Sequence, residues 1–162
     1  MIDVRQSFQK RETGKQRELD AHKMNKSLRY HSGSIQAWFD GSCTINPGGT
    51  ARYGMIIKVN GEIVHSASGV VGTGPEVSSN VAEYAGVVAV LEYLVANRVT
   101  GKVTIFGDSL IVISKLSKGR VSNGLCRPYS EKAVYLKQQL TCTPELVWIP
   151  RAQNSEADEL SR

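Results

Sequence analysis

Residues 80–109 read NVAEYAGVVAVLEYLVANRVTGKVTIFGDS, and the way this stretch divides decides the fold. Val81, Tyr84, Ala85, Val88, Leu91 and Val95 recur at helical spacing, which predicts one long helix. Asn97, Arg98 and Gly101 interrupt that pattern, and VTIFGD at 103–108 follows as a strand. Upstream, IQAWFDG at 35–41 predicts a strand closed by the turn Asn46-Pro47-Gly48-Gly49. YGMIIKV at 53–59 and EIVHSASGV at 62–70 flank Asn60-Gly61, a strong hairpin signal, so the chain begins as a three-strand antiparallel meander. Downstream, LIVISKLSK at 110–118 reads as a helix ending at Gly119, and YSEKAVYLKQQL at 129–140 as another opened by Arg127-Pro128. ELVWIP at 145–150 predicts a last strand, and NSEADELSR at 154–162 carries a cap residue and an acidic first turn of a helix.

The resulting order is βββαβααβα. A strand–helix–strand connection implies parallel pairing through a right-handed crossover, so the strand at 103–108 should lie parallel to the first. The expected fold class is α/β: a five-stranded mixed sheet, its first three strands antiparallel and its fourth and fifth parallel to the first, with helices on both faces. Ligands of such open sheets bind in the crevice at the carboxyl ends of the parallel strands.

The chain has 162 residues, 41% of them hydrophobic, which suits one domain with a full core. Its formal net charge of +5 is unevenly placed. Residues 1–34 hold eight Lys/Arg against four Asp/Glu, and 35–162 hold twelve against eleven. We therefore divide the chain into a basic, flexible arm over 1–34 and a domain over 35–162. Such an arm suits electrostatic attachment to a polyanion, nucleic acid first, and equally suits a solvated leader. Cys43, Cys126 and Cys142 are odd in number and lack C-x-x-C spacing, which speaks against a disulfide framework or a zinc site. With no long apolar run, the expectation is a soluble cytoplasmic monomer without membrane contact.

Four acids interrupt apolar runs or stand at element boundaries: Asp40 in AWFDGS, Glu83 in NVAEY, Asp108 in IFGDS and Asp158 in SEADELS. Each has an ordinary explanation. Glu83 in a first helical turn would favour the macrodipole, Asp158 would be a helix-surface acid, Asp108 a cap, and Asp40 a turn residue. The topology sets them at one end of the sheet, however. Carboxylates so close stay ionised only around cations, and an oxygen-only ligand set without His or Cys selects Mg²⁺ or Mn²⁺. Mg²⁺ takes phosphate oxygens as further ligands, which points to phosphoryl transfer, and two ions about 4 Å apart suit in-line displacement.

The motifs D-G-S-C-x-x-N-P-G-G, N-x-A-E-Y, G-D-S and W-I-P-R-x-x-N-x-x-A-D-x-L-S, in that order across 35–162, resemble type 1 ribonuclease H, most nearly its archaeal-type branch. The resemblance implies hydrolysis of the RNA strand of an RNA/DNA hybrid with two Mg²⁺ ions, leaving 5′-phosphate and 3′-hydroxyl ends. By match to those motifs, Asp40 would bridge both ions, Asp158 would complete one site, and Glu83 and Asp108 the other. Contacts to 2′-hydroxyls would come from the backbone around Gly41, Ser42 and Cys43, the side chain of Asn46, Glu83, and Asn80, with Ser109 keeping the D-S pair. Arg151 would contact phosphate or assist product release.

The chain departs from the family pattern at several places. Ser79-Asn80 stands where many members have two asparagines, and Leu110 where many have Gln. The loop PRAQN lacks the bacterial histidine, and GRVSNGLCRP replaces a basic handle. Other readings of these residues are a nuclease of the same fold acting on double-stranded RNA or DNA, and a non-cleaving nucleic-acid-binding module.

Overall fold

The computed structural model describes residues 15–19 and 33–162; residues 15–19 are helical and exposed, and residues 1–14 and 20–32 of the basic arm lie outside the described residues. The sheet begins with β1 (Ser34–Cys43), β2 (Thr50–Val59) and β3 (Glu62–Thr73). Asn60 and Gly61, with φ of 51° and 86°, turn β2 back into β3, as the dipeptide predicts. The chain continues through α1 (Ser79–Ala96), β4 (Lys102–Gly107), α2 (Leu110–Ser117), α3 (Arg127–Gln139), β5 (Glu145–Trp148) and α4 (Ser155–Leu160). The strand order across the sheet is β3-β2-β1-β4-β5. The β1–β2 and β2–β3 pairs are antiparallel, and the β1–β4 and β4–β5 pairs are parallel.

Alternation along β1 divides its residues between the two faces. Ile35, Ala37 and Phe39 are fully buried and join Val87, Val90, Leu91 and Leu94 of α1, Val112 and Leu116 of α2, and Ala133 and Leu136 of α3. Each large apolar side chain in that layer contributes about 1.5–3 kcal/mol of transfer free energy. The helix α1 is buried on more than its predicted stripe, with Val87, Val90 and Leu94 inside as well, because α3 packs on its outer side. On the other face Trp38 stacks on Phe106 at 5.0 Å, and α4 covers β1 and β2. The absence of a side chain at Gly54 admits α4: a Cβ there would stand 2.5 Å from the Ala157 carbonyl oxygen. Helices thus lie on both faces, as expected.

Two local expectations change. The cap of α2 is Ser109, whose hydroxyl accepts from the Val112 N–H at 3.4 Å, which frees Asp108 from that duty. Asn154 precedes α4 without a side-chain capping bond; its amide donates instead to the Phe39 carbonyl of β1 at 2.9 Å and ties α4 to the sheet.

Candidate active site

The register brings the acids together. Phe39 lies opposite Gly107 in the parallel β1–β4 pair, so Asp40 and Asp108 are the next residues along two neighbouring strands. Glu83 arrives from α1, which lies so close to β1 that a Cβ on Gly41 would stand 2.1 Å from the Glu83 nitrogen. Glycine at position 41 is what permits this approach. One carboxylate oxygen each from Asp40, Glu83 and Asp108 falls within a common 4.8 Å. The Trp148 indole N–H donates to the Asp108 carbonyl at 3.0 Å and pins the residue across β5.

Burial makes this cluster electrostatically expensive. Asp40 is 3% exposed and Glu83 8% exposed. Burial, and then the charges of Asp40 and Asp108, push Glu83 up to about 9, against the smaller opposing effects of a Gly41 backbone hydrogen bond and of Arg151. Burial also raises Asp40 to about 6, with a hydrogen bond from Ser161 opposing it and the charges of Asp108 and Asp158 adding to it. Glu83 Oε2 is buried with no hydrogen-bond partner among the described residues. Glu83 also lies in the second turn of α1, and the first turn holds no acid, so the helix dipole does not account for it as the sequence suggested. Three carboxylates grouped this closely, one of them with a buried oxygen that lacks a partner among the described residues, have the donor arrangement of a hard divalent cation.

Asp158 stands beside this group and is held differently. Arg151 Nη2 donates to its Oδ1 at 2.6 Å, and Arg162 donates to its Oδ2 through Nε at 3.0 Å and through Nη2. Burial would raise the Asp158 carboxyl, but the two guanidinium groups outweigh it and hold it below the usual range. Asp158 therefore belongs to the site's wall and to an arginine clamp, rather than to the three-carboxylate group. Arg151 acts here through Asp158, an ion pair that the sequence did not reveal.

The remaining candidates line the adjoining rim. Asn46 donates to the Ser79 hydroxyl at 2.8 Å and accepts from the Ser79 N–H at 3.0 Å, fastening the β1–β2 turn to the start of α1. Asn80 is exposed at that same helix end. The Cys43 thiol donates to the Ile45 carbonyl at 2.9 Å, and the Ser42 hydroxyl donates to the Ser161 carbonyl. Ser109 is committed to its cap. Sequence reasoning missed Ser161, Arg162, Asn154 and Trp148 as parts of the site. Three of them lie inside the W-I-P-R-x-x-N-x-x-A-D-x-L-S motif, which was the available signal.

Residues 38–162 match the family described as reverse transcriptase-like. The chain belongs to that family. Its structural neighbours place it with the type 1 ribonucleases H, hydrolases that carry this sheet. The N-terminal ribonuclease H domain of a Mycobacterium tuberculosis protein, solved as a maltose-binding-protein fusion, is 28% identical with a TM-score of 0.70. That match covers 80% of this chain and 91% of that one. Ribonuclease H1 of the halophilic archaeon Halobacterium salinarum is 29% identical with a TM-score of 0.69, over 80% of this chain and 95% of that one. A ribonuclease H1 isolated from compost by a metagenomic approach, solved in complex with an RNA/DNA hybrid, is 27% identical. Its TM-score is 0.69, over 78% of this chain and 92% of that one.

In this ribonuclease H, Arg151 is 72% exposed while its partner carboxylate is 10% exposed, so the guanidinium has free donors facing solvent. Arg151→Ala should lower turnover on saturating substrate by about 10-fold, as losses of groups that orient a ligand do. Steady-state kinetics check this, and unchanged turnover would remove Arg151 from the reaction.

Proposed function

We propose that this ribonuclease H hydrolyses the RNA strand of RNA/DNA hybrids, leaving 5′-phosphate and 3′-hydroxyl ends. The observation that carries the reading is the buried group Asp40, Glu83 and Asp108, whose oxygens share 4.8 Å and whose Glu83 Oε2 has no partner among the described residues. A binding module gains nothing from buried negative charge turned toward phosphates. The compost relative's complex with RNA/DNA hybrid supports the choice of substrate.

The three-carboxylate group suits Mg²⁺, or Mn²⁺ in its place, and the resemblance to ribonuclease H supplies the second ion of the reading. Asp40, Glu83 and Asp108 would hold one ion, and Asp40 with Asp158 the other. When bound, the ions supply activation of the attacking water and charge stabilisation of the leaving oxygen. The chain's own residues do the rest. The buried walls keep the carboxylates in low dielectric, where their pull on cations is strong. Backbone groups of Gly41, Ser42 and Cys43, the side chains of Asn46 and Asn80, and Glu83 read the 2′-hydroxyls that separate RNA from DNA, with Ser109 beside them on the substrate's side of the site. Arg151 contacts a phosphate.

The halophilic archaeal neighbour supports placing the chain in the archaeal-type branch. The division into a basic arm over 1–34 and a catalytic domain over 35–162 completes the reading, with the protein a cytoplasmic monomer. Among the described residues no helix is long and apolar enough to cross a membrane.

The test is a panel of labelled RNA/DNA hybrid, RNA duplex and DNA duplex, each with Mg²⁺, Mn²⁺ or EDTA, beside Asp108→Asn. Cleavage confined to the hybrid's RNA strand, abolished by EDTA and reduced at least about 100-fold in the variant, is expected. Cleavage that survives EDTA sinks the mechanism, and preference for either duplex sinks the substrate.

A further inference from the structure

Ser161 is fully buried, and the fold immobilises it from several directions. Its N–H donates to the carbonyls of Ala157 at 3.1 Å and Asp158 at 3.2 Å, and its own carbonyl accepts the Ser42 hydroxyl. Gly54 makes room for it: a Cβ there would stand 2.8 Å from the Ser161 nitrogen. The hydroxyl so fixed has one proton and two acceptors within reach, Asp40 Oδ2 at 2.5 Å and the Asp158 carbonyl at 3.0 Å.

A carboxylate turns freely about its last side-chain torsion unless something holds one oxygen. Asp40 sits among Asp108 and Asp158, whose charges repel it, and Ser161 supplies a donor that fixes its plane. The same serine closes the last turn of the helix that carries Asp158. We propose that Ser161 is a positioning residue for the cation site, which sets the rotation of the Asp40 carboxylate and locks it in register with Asp158. It does so without touching substrate. This inference rests on the reading of the acid cluster as a divalent-cation site.

The test is calorimetric titration of Mg²⁺ and of Mn²⁺ into substrate-free protein, with hybrid cleavage followed over a metal series, for wild type, Ser161→Ala and Leu160→Ala. Leu160 is half-buried in the same helix, so its truncation loosens α4 without removing a donor to Asp40. In Ser161→Ala the half-saturating metal concentration should rise about 10-fold in both measurements, the effect of losing an outer partner of a ligand. KM for the hybrid should be unchanged, and Leu160→Ala should lower the melting temperature while keeping wild-type metal dependence. Unchanged metal dependence in Ser161→Ala, or an equal shift in Leu160→Ala, overturns the positioning role. Absence of metal binding to the wild type overturns the cation-site reading and this inference with it.

Discussion

Glu83→Gln should melt at a higher temperature than wild type at pH 8 in EDTA, and with saturating Mg²⁺ it should cleave hybrid at least about 100-fold more slowly. The two effects share one cause. Glu83 is raised from 4.5 to about 9 and Asp40 from 3.8 to about 6, both chiefly by burial. In the metal-free protein the folded state therefore binds more protons than the unfolded one between those limits. Stability that Glu83 contributes is fully present below about pH 4.5 and declines as pH rises toward about 9. The amide removes that decline, since it has no charge to desolvate. Each kcal/mol recovered moves the midpoint by about 2–4 °C in a domain of this size. Mg²⁺ should raise the wild-type midpoint, increasingly with pH, and leave that of Glu83→Gln nearly unmoved. Melting curves at pH 5, 7 and 9 with and without Mg²⁺ decide the matter, and a variant less stable than wild type at every pH would refute the electrostatic account.

Gly41→Ala should lower the unfolding free energy by about 3 kcal/mol, the upper range for overpacking a tight contact. The new Cβ would stand 2.1 Å from the Glu83 nitrogen and 2.3 Å from the Ala82 carbonyl carbon. Both neighbours are backbone, so no side chain can swing aside and α1 must shift away from β1. That shift carries Glu83 with it. Displacing a catalytic group by about 1 Å costs on the order of 100-fold in rate, so turnover should fall even in the folded fraction. Urea denaturation and single-turnover cleavage measure the two effects separately, and wild-type stability in this variant would mean that β1 and α1 are not so closely packed.

Much of the site was readable because its residues break local patterns. Asp40 and Asp108 each close an apolar run, and alternation plus the strand–helix–strand connection set them side by side, although β1 itself continues to Cys43. Glu83 was legible as an acid in a helix of apolar residues, but its depth was not. The helix begins at Ser79, and the buried face is wider than one stripe because α3 packs on it. Asp158 was placed at the correct end of the sheet, whereas its arginine clamp depends on how α4 and the turn at Arg151–Gln153 fold back. Ser161, Asn154 and Trp148 were not legible as site residues for a common reason. Each acts through one hydrogen bond to a residue 40 to 121 positions away, and two of those bonds end on backbone carbonyls that no side-chain pattern marks. The helix cap moved from Asp108 to Ser109 on a one-residue difference in where α2 starts, and that freed the acid for the cluster.

As a divalent-cation site, the group Asp40, Glu83 and Asp108 holds part of its carboxyls protonated when metal is absent. Calorimetric titration of Mg²⁺ into substrate-free protein at pH 7.5, in two buffers of different ionisation enthalpy, tests it directly. Because Glu83 stands at about 9, metal must displace its proton to bind, so the measured enthalpy should differ between the buffers and binding should strengthen with pH. Glu83→Gln should show no such buffer dependence. No binding, or binding with the same heat in both buffers, would contradict the account.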